Sequence, residues 1–95
     1  MAEVVYSEEA IGDLRRVMEF VEGAGAEVAA LIVEAVELLA RHPFLGRPVE
    51  QGLRELVISR GRTGYGALYR VVETEDVVLV LGVRHQRDQR ELGWV

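Results

Sequence analysis

Residues 53–87 read LRELVISRGRTGYGALYRVVETEDVVLVLGVRHQR, three β-type runs in succession at 53–59, 65–73 and 77–85. Each run is rich in β-branched, aromatic or leucine residues, and Gly61-Arg62-Thr63-Gly64 and Thr74-Glu75-Asp76 supply the turns between them. A sheet built from these runs must bury one face, and the only long apolar surface able to cover it lies on helices encoded earlier. In the third run Val77, Leu79, Leu81 and Val83 alternate onto one face and Val78 and Val80 onto the other. Apolar residues on both faces predict an interior strand. The front half of the chain therefore covers, and the back half presents Tyr69-Arg70 and Arg84-His85-Gln86-Arg87.

Upstream, Val4, Val5 and Tyr6 form a short β-prone run that needs the later sheet for stability. Ser7 can cap a helix whose first turn holds Glu8 and Glu9, at the positive end of the helix dipole. Ala10, Ile11, Leu14, Val17, Met18 and Val21 recur at helical spacing, with Asp13, Arg16, Glu19 and Glu22 placed away from that stripe. Gly23-Ala24-Gly25 ends the helix, and a second is predicted over 26–41. Its polar strip of Glu27, Glu34 and Glu37 is narrow, and its apolar arc is wider than one contact needs. The segment His42-Pro43-Phe44-Leu45-Gly46-Arg47-Pro48 is a connector, with Phe44 and Leu45 expected to tuck under the sheet.

Ninety-five residues fit one domain, 1–95. Without cysteine there is no disulfide framework, zinc-thiolate site or thiol nucleophile. Neither a signal peptide nor a membrane-spanning run is present, so a soluble cytoplasmic protein is the default. The net charge of -5 is uneven: ten acids against four arginines in residues 1–50 give -6, and six against seven in 51–95 give +1. An acidic total argues against a protein that coats phosphate backbones. All eleven basic residues are arginine, so no lysine can serve as general acid or base.

Strand, two helices, a proline-glycine loop and a three-stranded meander resemble the RelE/ParE superfamily of bacterial toxins from type II toxin-antitoxin (plasmid stabilisation) systems. The resemblance is carried by His42-Pro43-Phe44-Leu45-Gly46-Arg47-Pro48, Arg54-Glu55-Leu56-Val57, Gly64-Tyr65, Leu68-Tyr69-Arg70 and Val83-Arg84-His85-Gln86-Arg87. It implies an α+β fold: an N-terminal strand, a two-helix hairpin, then a three-stranded antiparallel meander whose sheet the helices cover. It also implies a cognate antitoxin partner, with a homodimer or a toxin-antitoxin heterotetramer as assemblies, and neither cofactor nor metal. The surplus apolar arc at Leu31, Val33 and Leu38 is the candidate antitoxin surface.

Two activities share this fold, so the fold cannot choose between them. ParE-like members poison DNA gyrase by binding, whereas RelE-like members cut messenger RNA on the ribosome. Cutting RNA through its own 2'-hydroxyl needs a base, an acid and cations that hold the phosphate. Arg70, His85, Arg84 and Glu55 are the candidates, but the expected lysines are missing and Gln86 stands where a tyrosine is expected. With Val72 opposite Val77, Arg70 would lie opposite Leu79, on the face of His85 but about 20 Å away; a one-residue shift would pair it with Arg84 instead. The ParE-like reading is therefore preferred, with no catalytic residue and the gyrase contact placed on Arg84, Arg87, Arg90 and Trp94. Structural roles compete at each position: Arg70 pairing with Glu55, His85 at a strand edge, Arg47 tying its loop through carbonyls, Tyr65 and Tyr69 packing.

Overall fold

The structure, a computed structural model, describes residues 1–20, 23–58 and 64–85. Strand β1 (Glu3–Tyr6) leads into helix α1 (Glu8–Phe20), and helix α2 (Gly25–Glu37) tightens into a 3-10 turn at Leu38–Ala40. Four strands follow: β2 (Arg47–Pro48), β3 (Arg54–Val57), β4 (Tyr65–Val72) and β5 (Val77–His85). They form one sheet in the order β1-β5-β4-β3-β2, antiparallel except for the parallel pair β1 and β5. The strand–helices–meander architecture inferred from the sequence is present, and β5 is interior. Two details differ from it: the connector contributes β2, and among the described residues of the run at 53–59 the strand spans Arg54–Val57.

Ser7 caps α1 as expected, its hydroxyl accepting the Ala10 amide at 3.1 Å. The buried stripe of α1 is rotated from the predicted one. Ala10, Asp13 and Val17 are buried, whereas Ile11 and Met18 are 45% and 54% exposed. Gly25 starts α2 rather than the turn, because a side chain there would collide with the main chain at Met18. The helices lay Ala10, Val17, Ala29, Ile32, Val36 and Leu39 against Leu56, Ala67, Tyr69, Val78, Val80 and Val83 of the sheet in a single buried cluster.

Val72 does pair with Val77, and Arg70 with Leu79. The register then slips by one: Tyr69 pairs with Val80 but Leu68 with Gly82, which leaves Leu81 as an extra residue in β5. Val83 consequently joins Val78 and Val80 on the buried side, a correction to the simple alternation. The bulge sits where β1 ends, and α1 takes over the vacated edge. Ser7 donates its amide to the Val80 carbonyl at 2.9 Å and its hydroxyl to that of Leu81 at 3.3 Å.

Candidate functional site

Paired residues on neighbouring strands share a face. Tyr65, Ala67, Tyr69 and Val71 of β4 look toward the helices with their partners His85, Val83, Val80 and Val78. His85 meets Tyr65 edge-to-face, with ring centroids 5.3 Å apart and planes at 83°. Gly66, Leu68, Arg70 and Val72 occupy the other face, with Arg84 opposite Gly66. The bulge thus separates Arg70 from His85, correcting the expectation that they share a face, and brings Arg70 to the side of Arg84. Four residues of β4 still separate that pair, about 14 Å along the strand.

The guanidinium of Arg84 turns to Asp13. Asp13 is 3% exposed: its Oδ2 accepts the Val83 amide at 2.8 Å and pairs with Arg84, while Oδ1 pairs with Arg16. This carboxylate lies between Ala10 and Val17 in the true helical stripe, so it belongs to the core-facing side from which the sequence reading had excluded it. It seals the edge of β5 beyond Leu81, where an unpaired amide would otherwise be buried.

Glu55 is 2% exposed and pairs with Arg47, not with Arg70, at 2.6 and 3.0 Å to one carboxylate oxygen. Arg70 is exposed, and among the described residues no ion pair or hydrogen bond holds it. The backbone carbonyls of the connector are held by Arg54 rather than Arg47: its guanidinium donates to Gly46 at 2.7 Å and Phe44 at 3.3 Å, and stacks 4.8 Å above the Phe44 ring. Phe44 and Leu45 do not tuck under the sheet; they are 52% and 53% exposed. The anchor is Tyr69, wholly buried, whose hydroxyl accepts the Gly46 amide at 2.8 Å and donates to the Pro43 carbonyl at 2.7 Å. Burial raises its pKa, opposed by the Gly46 bond and the charge of Arg54.

Leu31 and Leu38 are 51% and 53% exposed and Val33 is half-buried, so the predicted apolar arc of α2 reaches the surface. Glu27, Glu34 and Glu37 face water. Arg87, Arg90 and Trp94 lie outside the described residues.

Residues 4–90 match the family model described as the ParE toxin of the type II toxin-antitoxin system parDE. The chain belongs to the ParE toxin family. Among curated relatives, this ParE-family chain is 42% identical over 60 residues to Toxin RelE3 of Caulobacter vibrioides, an alignment spanning 63% of each protein. Among solved structures it resembles the RelBE2 toxin-antitoxin complex of Mycobacterium tuberculosis, with 26% identity, a TM-score of 0.70, and 90% of this chain and 98% of that one covered. The chromosomal ParDE system of P. aeruginosa superposes with a TM-score of 0.74 over 90% of this chain and 96% of the other; at 24% identity it shows the fold alone. Of the ParE-family chain's own site residues, Asp13 and the Tyr69 hydroxyl escaped the sequence reading. Asp13 carried a signal, its spacing from Ala10 and Val17; Tyr69 carried none, since its partners are main-chain atoms 23 and 26 residues away.

Proposed function

We propose that this toxin acts by binding DNA gyrase, without chemistry of its own, and is held inactive in the cytoplasm by a cognate antitoxin. The observation that carries this reading is the opposition of Arg70 and His85 across the sheet. An RNA-cleaving centre needs its acid, base and cations around one phosphate. Of the four candidates, Glu55 is committed to Arg47, Arg84 to Asp13, and the remaining two face opposite ways. The absence of lysine and the glutamine at 86 point the same way. Arg84, Arg87, Arg90 and Trp94 are assigned to the target contact, and 1–95 to one toxin domain.

Antitoxin docking is assigned to the exposed apolar arc around Leu31, Val33 and Leu38, where a helix can lay its apolar face. Induction of the chain with DNA breaks and transcript integrity followed separately is the test. DNA damage signalling with intact messages is the expected result; cuts in translated messages without DNA damage overturn the gyrase reading.

A further inference from the structure

Two guanidinium groups share one buried carboxylate where α1 closes the edge of β5. Asp13 pairs with Arg84 through Oδ2 and with Arg16 through Oδ1, and its own side chain is 2% exposed. The arginines are not buried with it: the side chains of Arg16 and Arg84 are 57% and 29% exposed. Arg16 spends one nitrogen on Asp13 and has no other ion pair among the described residues, although Glu19 lies about one turn further along the helix. The cluster sets two guanidinium groups against one carboxylate and reaches solvent.

Arg84 comes to this cluster from the other side of the sheet. Its backbone lies opposite Gly66, with the side chain starting on the face away from the helices. Gly66 across the ladder and Gly82 two residues back carry no side chain, so neither can hold a guanidinium there. The side chain runs round the strand edge to Asp13, and Nη1 also donates to the Val83 carbonyl at 3.2 Å. Asp13 thereby displays the charge of Arg84 at the edge, beside Arg16, and not over Gly66.

Sealing the edge does not require a charge. The Val83 amide needs an acceptor, which the oxygen of an asparagine would supply, whereas taking a carboxylate out of water is costly. Its two salt bridges return little, because both arginines reach water. What the carboxylate adds is order. An arginine loses side-chain freedom when a partner fixes it, and here part of that loss precedes the encounter.

We infer that Asp13 is a positioning residue, itself never touching the target, that sets Arg84 beside Arg16 as a two-guanidinium fork for a carboxylate on an acidic protein surface. Guanidinium groups match carboxylates and phosphates alike, and the chain's net charge of -5 selects against a polyphosphate. The inference rests on the gyrase reading above and adds Arg16, Asp13 and the charge of the surface they meet.

The test has two arms. In the free toxin the Arg84 Nε–H resonance, assigned by its loss in Arg84→Gln, is expected to exchange with water roughly tenfold faster once Asp13→Asn removes the charge that holds it. In the second arm purified gyrase, without DNA, is titrated with the toxin. Arg84→Gln and Arg16→Gln are each expected to weaken binding about tenfold. Asp13→Asn is expected to weaken it as well, although it makes the surface more positive. A residue acting through bulk charge would strengthen binding, and a merely structural one would weaken it whether or not Arg84 is present. In an Arg84→Gln background Asp13→Asn is therefore expected to add nothing.

Binding left unchanged or tightened by Asp13→Asn, or a loss that adds in full to that of Arg84→Gln, overturns the inference. So does an Arg84 Nε–H that exchanges equally fast with and without the Asp13 carboxylate. Binding that appears only when DNA is present assigns the fork to phosphate and overturns the acidic surface. Where Asp13→Asn does not fold, the Arg16→Gln and Arg84→Gln cycle decides, full additivity overturning the fork. An unaltered chain that does not bind gyrase overturns the gyrase reading itself, and the exchange arm still tests the positioning.

Discussion

The hydroxyl of Tyr69 donates to the carbonyl oxygen of Pro43 at 2.7 Å, tying the middle of the sheet to a loop 26 residues earlier in the chain. The same oxygen accepts the Gly46 amide, and a Cβ added at Gly46 would lie 2.7 Å from it. The loop thus keeps its shape with Phe44 and Leu45 largely in water, because one buried phenol satisfies both ends of its turn.

Tyr69→Phe removes that phenol's hydrogen bonds while keeping the ring. It leaves the Gly46 amide and the Pro43 carbonyl without their partner, and destabilisation of about 1–3 kcal/mol is expected by urea unfolding. A loss under about 0.5 kcal/mol would mean the loop is held by Arg54 instead.

Asp13→Ala strips the Val83 amide of its acceptor and both arginines of their counter-ion. The guanidinium groups of Arg16 and Arg84 reach solvent, so their share is small. The orphaned amide dominates, for about 2 kcal/mol in total. Asp13→Asn keeps an acceptor for Val83 and is expected to cost less than half as much in the same unfolding assay.

Gly25→Ala drives a methyl group into the main chain of α1 at Met18. The two helices must separate or shift, a change expected to cost on the order of 1–3 kcal/mol. Alanine ordinarily strengthens a helix relative to glycine, so a lower melting point in this variant isolates the steric term.

Alkaline pH is expected to unfold the protein through Tyr6. Burial first, and then the charge of Glu37, push its pKa up to about 12 from 10.0. Between those values the unfolded chain has released a proton that the folded chain retains, so stability is full below pH 10 and falls as pH rises toward 12. Tyr69 is shifted in the same direction. The Tyr6 hydroxyl is buried without a hydrogen-bond partner among the described residues, so Tyr6→Phe is expected to leave stability at pH 7 unchanged or higher and to flatten the alkaline decline in urea midpoint.

Arg70→Ala is expected to change stability by no more than about 0.5 kcal/mol, since its side chain is exposed and unpaired among the described residues. On the gyrase-binding reading it also leaves growth inhibition intact, whereas Arg84→Ala weakens it. Growth curves after induction of each variant, at matched protein levels, check both statements.

The order of strands and helices was legible because periodicity carries it: alternation at 65–72 and 77–80, helical spacing at 10–17 and 29–39, Ser7 before two acids. Detail failed where one residue mattered. The stripe of α1 was centred on Leu14 because Asp13 is a carboxylate, and a charge was read as water-facing although its spacing from Ala10 and Val17 placed it inside. The partners of Glu55 were misassigned because β2 pairs with β3 through only two residues, too short a run to leave a pattern. The faces of Arg84 and His85 were misjudged because nothing in the valine-leucine run of β5 marks Leu81 as the extra residue.

That extra residue sets the parity of everything after it. Taken into an uninterrupted ladder opposite Leu68, Leu81 would exchange the sides on which Arg84 and His85 emerge, sending the imidazole outward and the guanidinium beneath the helices; left out of it, Leu81 keeps Gly82 opposite Leu68 and both side chains where they are. Whether one residue is counted in the ladder or held out of it therefore decides which chemistry each face at the end of the sheet offers, with every side chain on it unaltered.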